Sequence, residues 1–259
     1  MANTNTVPQG LFGPGILWLT RTDVAPSTPV NIGYINEFSM DETFTVKELY
    51  GQNQWALLAA RGTAKSTGKM KPAVMSGQAL NSMVLAGTWT AGTQYDAASS
   101  AATPIPATPF TITPVVPGSG TWNSDLGVVN AATSNPLTLV TGTPAAGQYS
   151  VAAGVYTFSS ADNVSGISVI ITFSYKQTTA PGQSMTWLNQ PLGQGTPTFQ
   201  LDYKTALYGA TYYVRLYQCI CTKWTMAHKL EDFAMPEYDF AFFANAAQQI
   251  GLISLASQA

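Results

Sequence analysis

Apolar and polar residues alternate along this chain with the period of two that suits a half-buried strand, far more often than with the 3.6 period of a helix. Gly15 to Thr22 (GILWLTRT) reads as a strand. Val30 to Ser39 alternates Ile32, Tyr34 and Phe38 with smaller or polar residues, and Thr43 to Tyr50 is a third candidate whose end could turn helical. Ala59 to Lys71 carries Arg61, Lys65, Lys69 and Lys71 among Ser, Thr and Gly, which suits a solvated strand or hairpin. One helix is expected over residues 75–86. Pro72 can open it, Ser76 can cap it, Ala79, Leu80, Met83, Val84 and Ala86 sit near helical spacing, and Gly87 is placed to stop it.

From Thr88 the pattern changes. Between Ala97 and Ser124 no residue is charged, and Pro104, Pro106, Pro109, Pro114 and Pro117 restrict the backbone to edges, turns and extended segments. Thr121 to Asn130, Pro136 to Thr141, Gly147 to Ala152, Val155 to Phe158 and Ile167 to Tyr175 read as short strands, the last with a period-two apolar face of Ile167, Val169, Ile171, Phe173 and Tyr175. Residues 176–197 are polar and rich in Gly and Pro, and read as irregular. Two strands follow, Thr198 to Thr205 and Thr211 to Thr222. In the second, Tyr212, Val214, Leu216 and Ile220 face one way, and Tyr213, Arg215, Tyr217, Cys219 and Cys221 face the other. Both faces are largely apolar, as expected of a strand central to a sheet or facing a neighbouring subunit. Trp224 to Leu230, Tyr238 to Ala244 and Ile250 to Leu255 can each add a strand. The expected architecture is mainly β: a barrel or sandwich core from residues 15–87 and 186–259 with one flanking α-helix, an N-terminal arm over 1–14, and an inserted or strand-extending β-module over 88–185.

Composition sharpens this picture. Hydrophobic residues make up 46% of the 259, enough for a sizeable core, but charged residues only 9%, against about 25% in a typical soluble domain. A surface so poor in charge suits a protein covered by copies of itself better than a free monomer. The net charge of −2 and pI near 5.3 lack the basic footprint of a nucleic-acid binder. Met1 to Pro8 has no basic start followed by an apolar run, so no signal peptide is expected. No apolar run approaches the roughly 18 residues of a membrane helix. Synthesis and assembly in a cytoplasm are expected.

The inventory of reactive groups is thin. Cys219 and Cys221 would lie on one face of a strand about 7 Å apart, too far for a disulfide within one flat strand, and a lone Cys-x-Cys lacks the four ligands of a zinc site. His228 is the single histidine, without a neighbouring ligand pattern. No Gly-x-Ser-x-Gly precedes a helix to present a nucleophile, and no Gly-rich segment matches a phosphate loop. The acidic cluster Glu231, Asp232, Glu237 and Asp239 lacks EF-hand spacing. The basic cluster Arg61, Lys65, Lys69 and Lys71 lacks interleaved aromatics for nucleic-acid binding. The expectation is no enzyme and no cofactor or metal, with these eight charged residues serving contacts between subunits.

Three stretches carry a resemblance. Phe38 to Val84 (FSMDETFTVKELYGQNQWALLAARGTAKSTGKMKPAVMSGQALNSMV) resembles the N-terminal part of bacteriophage major tail proteins, the subunits of the tail tube. There a strand pair ends in a Glu-Leu-Tyr-Gly-like turn, followed by a basic strand and a short helix with a Leu-Asn pair, here Leu80-Asn81. Asp125 to Tyr175, around PAAGQYSVAAGVYTFSSAD, looks like a module common in phage virion proteins. Leu216 to Ser254, around KLEDFAMPEYDF, resembles the closing part of the same tail proteins. The resemblance implies a tail-tube-like β-barrel or sandwich with one flanking helix, in a virion subunit that forms stacked, hexameric rings. It implies partners in the tape measure, tail terminator and baseplate proteins, and a lumen through which DNA passes without being held. The arm 1–14 and the segment around 40–71 are then candidates for contact between rings. Alternatives are another virion component, such as a head decoration or baseplate protein, and a carbohydrate-binding β-sandwich in which Trp89, Trp122, Tyr149 and Tyr156 stack on sugars.

Overall fold

A computed structural model describes residues 14–52, 54–191, 195–207, 210–228 and 233–256. The arm over 1–13 therefore lies outside the described residues. The chain folds as two compact units, one holding the residues up to Gly87 and from Trp187 onward, the other Thr88–Thr186. Both are built mainly from strands.

The first unit begins with β1 (Gly15–Arg21), β2 (Val30–Tyr50) and β3 (Ala56–Pro72), followed by the single helical turn α1 (Gly77–Leu80). The second unit contributes β4 (Thr90–Ser99), β5 (Thr103–Pro104), β6 (Thr111–Ile112), β7 (Thr121–Asn130), β8 (Thr138–Leu139), β9 (Gln148–Ala152), β10 (Val155–Phe158), the short helix α2 (Ser160–Val164) and β11 (Ser168–Ser184). The chain then returns to the first unit as β12 (Thr198–Leu207), β13 (Ala210–Met226), β14 (Pro236–Phe243) and β15 (Gly251–Ala256).

In the first unit, neighbouring strands pair in the order β12-β1-β2-β3-β14-β13, and β12 also pairs with β13. Six strands thus close a circuit, which removes most of the free edges that an open sheet would expose. β15 stands outside the circuit. It pairs antiparallel with Thr211–Leu216 of β13, while β14 pairs with Gln218–Met226, so the two follow one another along one side of β13. The core within the circuit is formed by alternate residues: Leu17 and Leu19 on β1, Phe199 and Leu201 on β12, Val214 and Leu216 on β13, and Tyr238, Phe240 and Phe242 on β14. Two glycines make room for the largest rings. A Cβ on Gly68 would come within 2.3 Å of the Phe240 ring, and one on Gly15 within 2.1 Å of the Tyr203 ring. Tyr203 in turn stacks on Phe38, their centroids 4.3 Å apart.

The structure departs from the expected elements in instructive ways. The helix expected over 75–86 is one α-turn, capped by Ser76 as anticipated, that widens into a π-turn over Asn81–Leu85. Asn81 causes the early stop. Its side chain accepts from the Gly87 N–H and donates to the Gly87 carbonyl, while Ala86 takes a left-handed conformation with φ of 49°. Ala79, Leu80 and Met83 of this segment still seal the core. The two strands expected over 30–39 and 43–50 are one continuous strand, β2. In β13 a bulge breaks the expected alternation: Phe199 faces Cys219 but Leu201 faces Leu216, so β13 has one extra residue between them. Cys219 therefore moves to the core face with Val214 and Leu216, and Ile220 to the opposite face. Burial raises the pKa of the Cys219 thiol, and that of Cys221 is pushed up to about 11 by the same cause.

The second unit is a sandwich. One sheet has β11 between β7 on one side and β4 with β5 on the other; the second runs β6-β10-β9-β8. Val169, Ile171, Phe173 and Tyr175 of β11 pack on Tyr149, Tyr156 and Phe158 of the facing sheet. The period-two face read from the sequence is thus the core face, but β11 continues to Ser184 through residues expected to be irregular. Asp125 joins the sheets by accepting from the Tyr149 hydroxyl at 2.6 Å and the Tyr156 hydroxyl at 3.0 Å. Ser159 caps α2, which the sequence reading did not anticipate. This places Asp162 to accept two bonds from the Gly147 N–H, each of 3.0 Å.

Phe240 is fully buried at the centre of the first core. Phe240→Ala should cost about 3–5 kcal/mol, through lost transfer energy plus the residual cavity. Chemical denaturation followed by tryptophan fluorescence, with the slope against denaturant unchanged, measures it.

Candidate assembly surface

The first feature of the surface is a hairpin that outruns the core. β2 and β3 pair from Ile35↔Pro72 to Tyr50↔Ala56. Phe38 and Met40 are the last residues of β2 packed against the core, and Gly68 the last buried residue of β3. Beyond them both faces of the hairpin are exposed, and among the described residues no second layer covers either face. The far half is nonetheless apolar: Val46, Leu49, Tyr50, Trp55, Leu57 and Leu58 are all more than half exposed, Trp55 at 83%. Leu49 and Leu58 face each other across the ladder. Arg61 lies over the Phe44 ring at 4.2 Å, which holds its guanidinium on the hairpin face. A bare two-stranded hairpin is marginal in water, and a contiguous exposed apolar patch is a candidate contact surface.

The second feature is β15. All six residues, Gly-Leu-Ile-Ser-Leu-Ala, are exposed. None is charged and none is proline, so the strand lacks the usual devices that blunt an edge. Its register with β13 puts Ile253 opposite Val214 and Leu255 opposite Tyr212. Ile253 and Leu255 therefore stand on the core side of the sheet, yet are 64% and 70% exposed. The core face runs on past the closed circuit and is left uncovered. A cleft of about 370 Å³ follows it, lined by Met40, Glu42, Leu216, Phe242, Ile250, Gly251 and Ile253.

The third feature gathers charge. The register of β2, β3, β14 and β13 places Glu37, Lys69, Lys71, Glu237, Asp239 and Lys223 on one face, opposite to Met70, Tyr238 and Phe240. Lys69 pairs with Glu237 at 2.8 Å and approaches Glu37 at 4.0 Å; Lys223 lies 3.9 Å from Asp239. The Glu237 pairing raises the Lys69 pKa, and Lys69 lowers that of Glu237. Three cations and three carboxylates neutralise one another on this belt.

Of the residues singled out by sequence, Lys69, Lys71, Glu237 and Asp239 thus meet within one chain. Arg61 and Lys65 stand apart on the exposed half of the hairpin. Glu231 and Asp232 lie outside the described residues. Glu37 and Lys223, which complete the belt, were missed; the apolar residues of the hairpin end lie within the segment around 40–71 expected to make contacts between rings, but were not singled out by name. Apolar positions on both sides of the turn between Tyr50 and Trp55, with no alternation to hide them, were the available signal.

A smaller polar network sits on the non-core face of β12. Asp202 is nearly buried and accepts from Arg215 Nε at 2.6 Å, from Gln200 at 2.7 Å and from the Tyr213 hydroxyl. Burial alone would raise its pKa, but the bonds from Tyr213, Arg215 and Gln200 outweigh burial and hold it below the usual carboxylate range. His228 is exposed. Among the described residues, no three His, Cys, Asp or Glu side chains are grouped to hold a metal ion. Tyr149 and Tyr156, two of the four aromatics considered for sugar stacking, are buried, and the Trp122 indole donates to the Tyr156 hydroxyl at 3.3 Å. No protein-family model matches the chain, and no curated protein matches it in sequence.

Because its folded pKa is lowered, Asp202 contributes its full stabilisation above the unfolded value of about 4 and loses it as pH falls through the folded value. Asp202→Asn should therefore cost about 1–2 kcal/mol at neutral pH, with the difference from wild type shrinking in acid. Thermal melts between neutral pH and pH 3 measure it.

Proposed function

We propose that this protein is a structural subunit of a bacteriophage tail tube, assembling with copies of itself into stacked, hexameric rings. Its place is the virion, with assembly in the host cytoplasm. The observation that carries the reading is the surplus of apolar strand beyond the core, on the β2–β3 hairpin and on β15, in a chain with only 9% charged residues. Such surfaces are a liability for a lone molecule and a joint for a polymer.

The resemblance of Phe38–Val84 and Leu216–Ser254 to tail-tube subunits gives that polymer its form: a hollow tube whose lumen conducts DNA during ejection. Tape measure, terminator and baseplate proteins are its expected neighbours. The role is mechanical, so no catalytic group is assigned. The self-neutralised belt of Glu37, Lys69, Lys71, Glu237, Asp239 and Lys223 suits it. Such a face offers passing DNA neither a cationic grip nor strong repulsion. A head decoration or baseplate protein would share the strands and the low charge, but would not polymerise alone into tubes.

Negative-stain electron microscopy of the purified protein at high concentration should show rings or long hollow tubes; a monodisperse solution of monomers would remove the reading. In amide exchange, residues 41–50 and 56–66 should exchange rapidly in the free subunit and become protected on assembly. Equal protection in both states would remove the hairpin as a joint.

A further inference from the structure

We infer that the uncovered core-side face of β15 is the receptor for the apolar end of the β2–β3 hairpin of a second copy, so that the two surfaces form one head-to-tail contact. The inference rests on the self-assembly reading and names the two halves of one of its joints.

Three observations converge. First, both surfaces have the same defect. Ile253 and Leu255 continue the core face of β13 with none of the described residues over them, and Val46, Leu49, Tyr50, Trp55, Leu57 and Leu58 sit on a strand pair with no core beneath it among the described residues. Each supplies what the other lacks. Second, the sizes are compatible. The cleft beside β15 has a volume of about 370 Å³, room for side chains at the end of a slender two-stranded ribbon. The six hairpin side chains divide between the two faces of the ribbon, because neighbours along a strand point to opposite sides; with on the order of 100 Å² exposed on each, one face supplies roughly 300 Å², a small contact that a polymer repeats at every joint. Third, the charges agree. Glu42 is the only charged residue lining the cleft, and it has no cationic partner among the described residues. The hairpin carries Arg61, which leans on Phe44 and has no carboxylate partner among the described residues. A second copy's Arg61 can meet Glu42 as its hairpin enters.

A head-to-tail contact has a signature that a symmetric one lacks. Leu58→Glu spoils the insert and leaves the receptor; Ile253→Glu spoils the receptor and leaves the insert. Both positions are exposed in the subunit, so each variant should keep the wild-type circular dichroism spectrum and melting temperature; Leu255→Glu is a second receptor variant should Ile253→Glu fold poorly.

Sedimentation velocity at matched concentration then reads the contact. Neither variant alone should form the polymer that wild type forms. Mixed one to one, they should associate through one intact joint and stop, doubling the mass of the species that each gives alone. Variants that assemble like wild type, or a mixture that does not associate, would overturn the inference. Electron microscopy of wild type separates this from the tube reading. Hollow tubes unaffected by either substitution keep the tube and remove the contact. Solid filaments abolished by either substitution keep the contact and remove the tube. A wild-type protein that stays monomeric removes both.

Discussion

A strand satisfies its backbone through its neighbours, but its apolar side chains only under a second layer, and the two requirements need not end at the same residue. In β2 and β3 they do not. The ladder holds from Ile35↔Pro72 to Tyr50↔Ala56, while the second layer stops near Met40 and Gly68. β15 repeats the mismatch: it pairs with β13 along one side, yet Ile253 and Leu255 stand on the core side with none of the described residues above them. Everything distinctive about the surface follows from strands that are longer than the core they help to enclose.

Charge is distributed to match. In the first unit, Glu37, Lys69, Lys71, Glu237, Asp239 and Lys223 are gathered on one sheet face and cancel there. Between Thr88 and Thr186 the only charged residues are Asp96, Asp125, Asp162 and Lys176, and two of these serve the interior. Asp125 receives the hydroxyls of Tyr149 and Tyr156, and Asp162 the Gly147 N–H. Little charge remains to keep apolar edges apart in solution. A chain with this distribution gains more from covering its edges than from repelling what approaches them.

Strand content was legible wherever alternation reported a single buried face. Val169, Ile171, Phe173 and Tyr175 lie on the core side as their spacing implied, and the composition break at Thr88 coincides with the start of the second unit. Legibility failed where the deciding event was non-local. The β13 bulge adds one residue between Leu216 and Cys219, which moves Cys219 inward although its parity pointed outward. The shortened helix depends on the Asn81 side chain reaching Gly87, a choice that apolar spacing does not record. The charge belt needed the pairing of β3 with β14, some 170 residues apart in sequence, before Lys69 and Glu237 could be seen as partners. The exposed hairpin was hardest to read, because an apolar residue in a strand is ordinarily evidence of burial.

The two uncovered surfaces are guarded unequally, and the difference has a physical reason. The hairpin carries Asp41, Glu42, Lys47, Glu48, Arg61 and Lys65 along its exposed length, and bulges between Phe44 and Val46 and between Leu49 and Tyr50 twist it. Both devices discourage a strand from adding to its long edges. β15 has neither device, but it is only six residues long, so a stray strand would gain few hydrogen bonds there. A long guarded insert and a short unguarded receptor disfavour pairing of like with like: two hairpins bring bulges and mixed charges together, and two β15 strands bury too little. The combination left is the unlike one. Unlike surfaces on one subunit join by a heterologous contact, which either closes into a ring or propagates as a filament. If the subunit self-assembles as proposed, the unequal guarding of its edges would bias it toward ordered growth in one direction and away from indiscriminate aggregation.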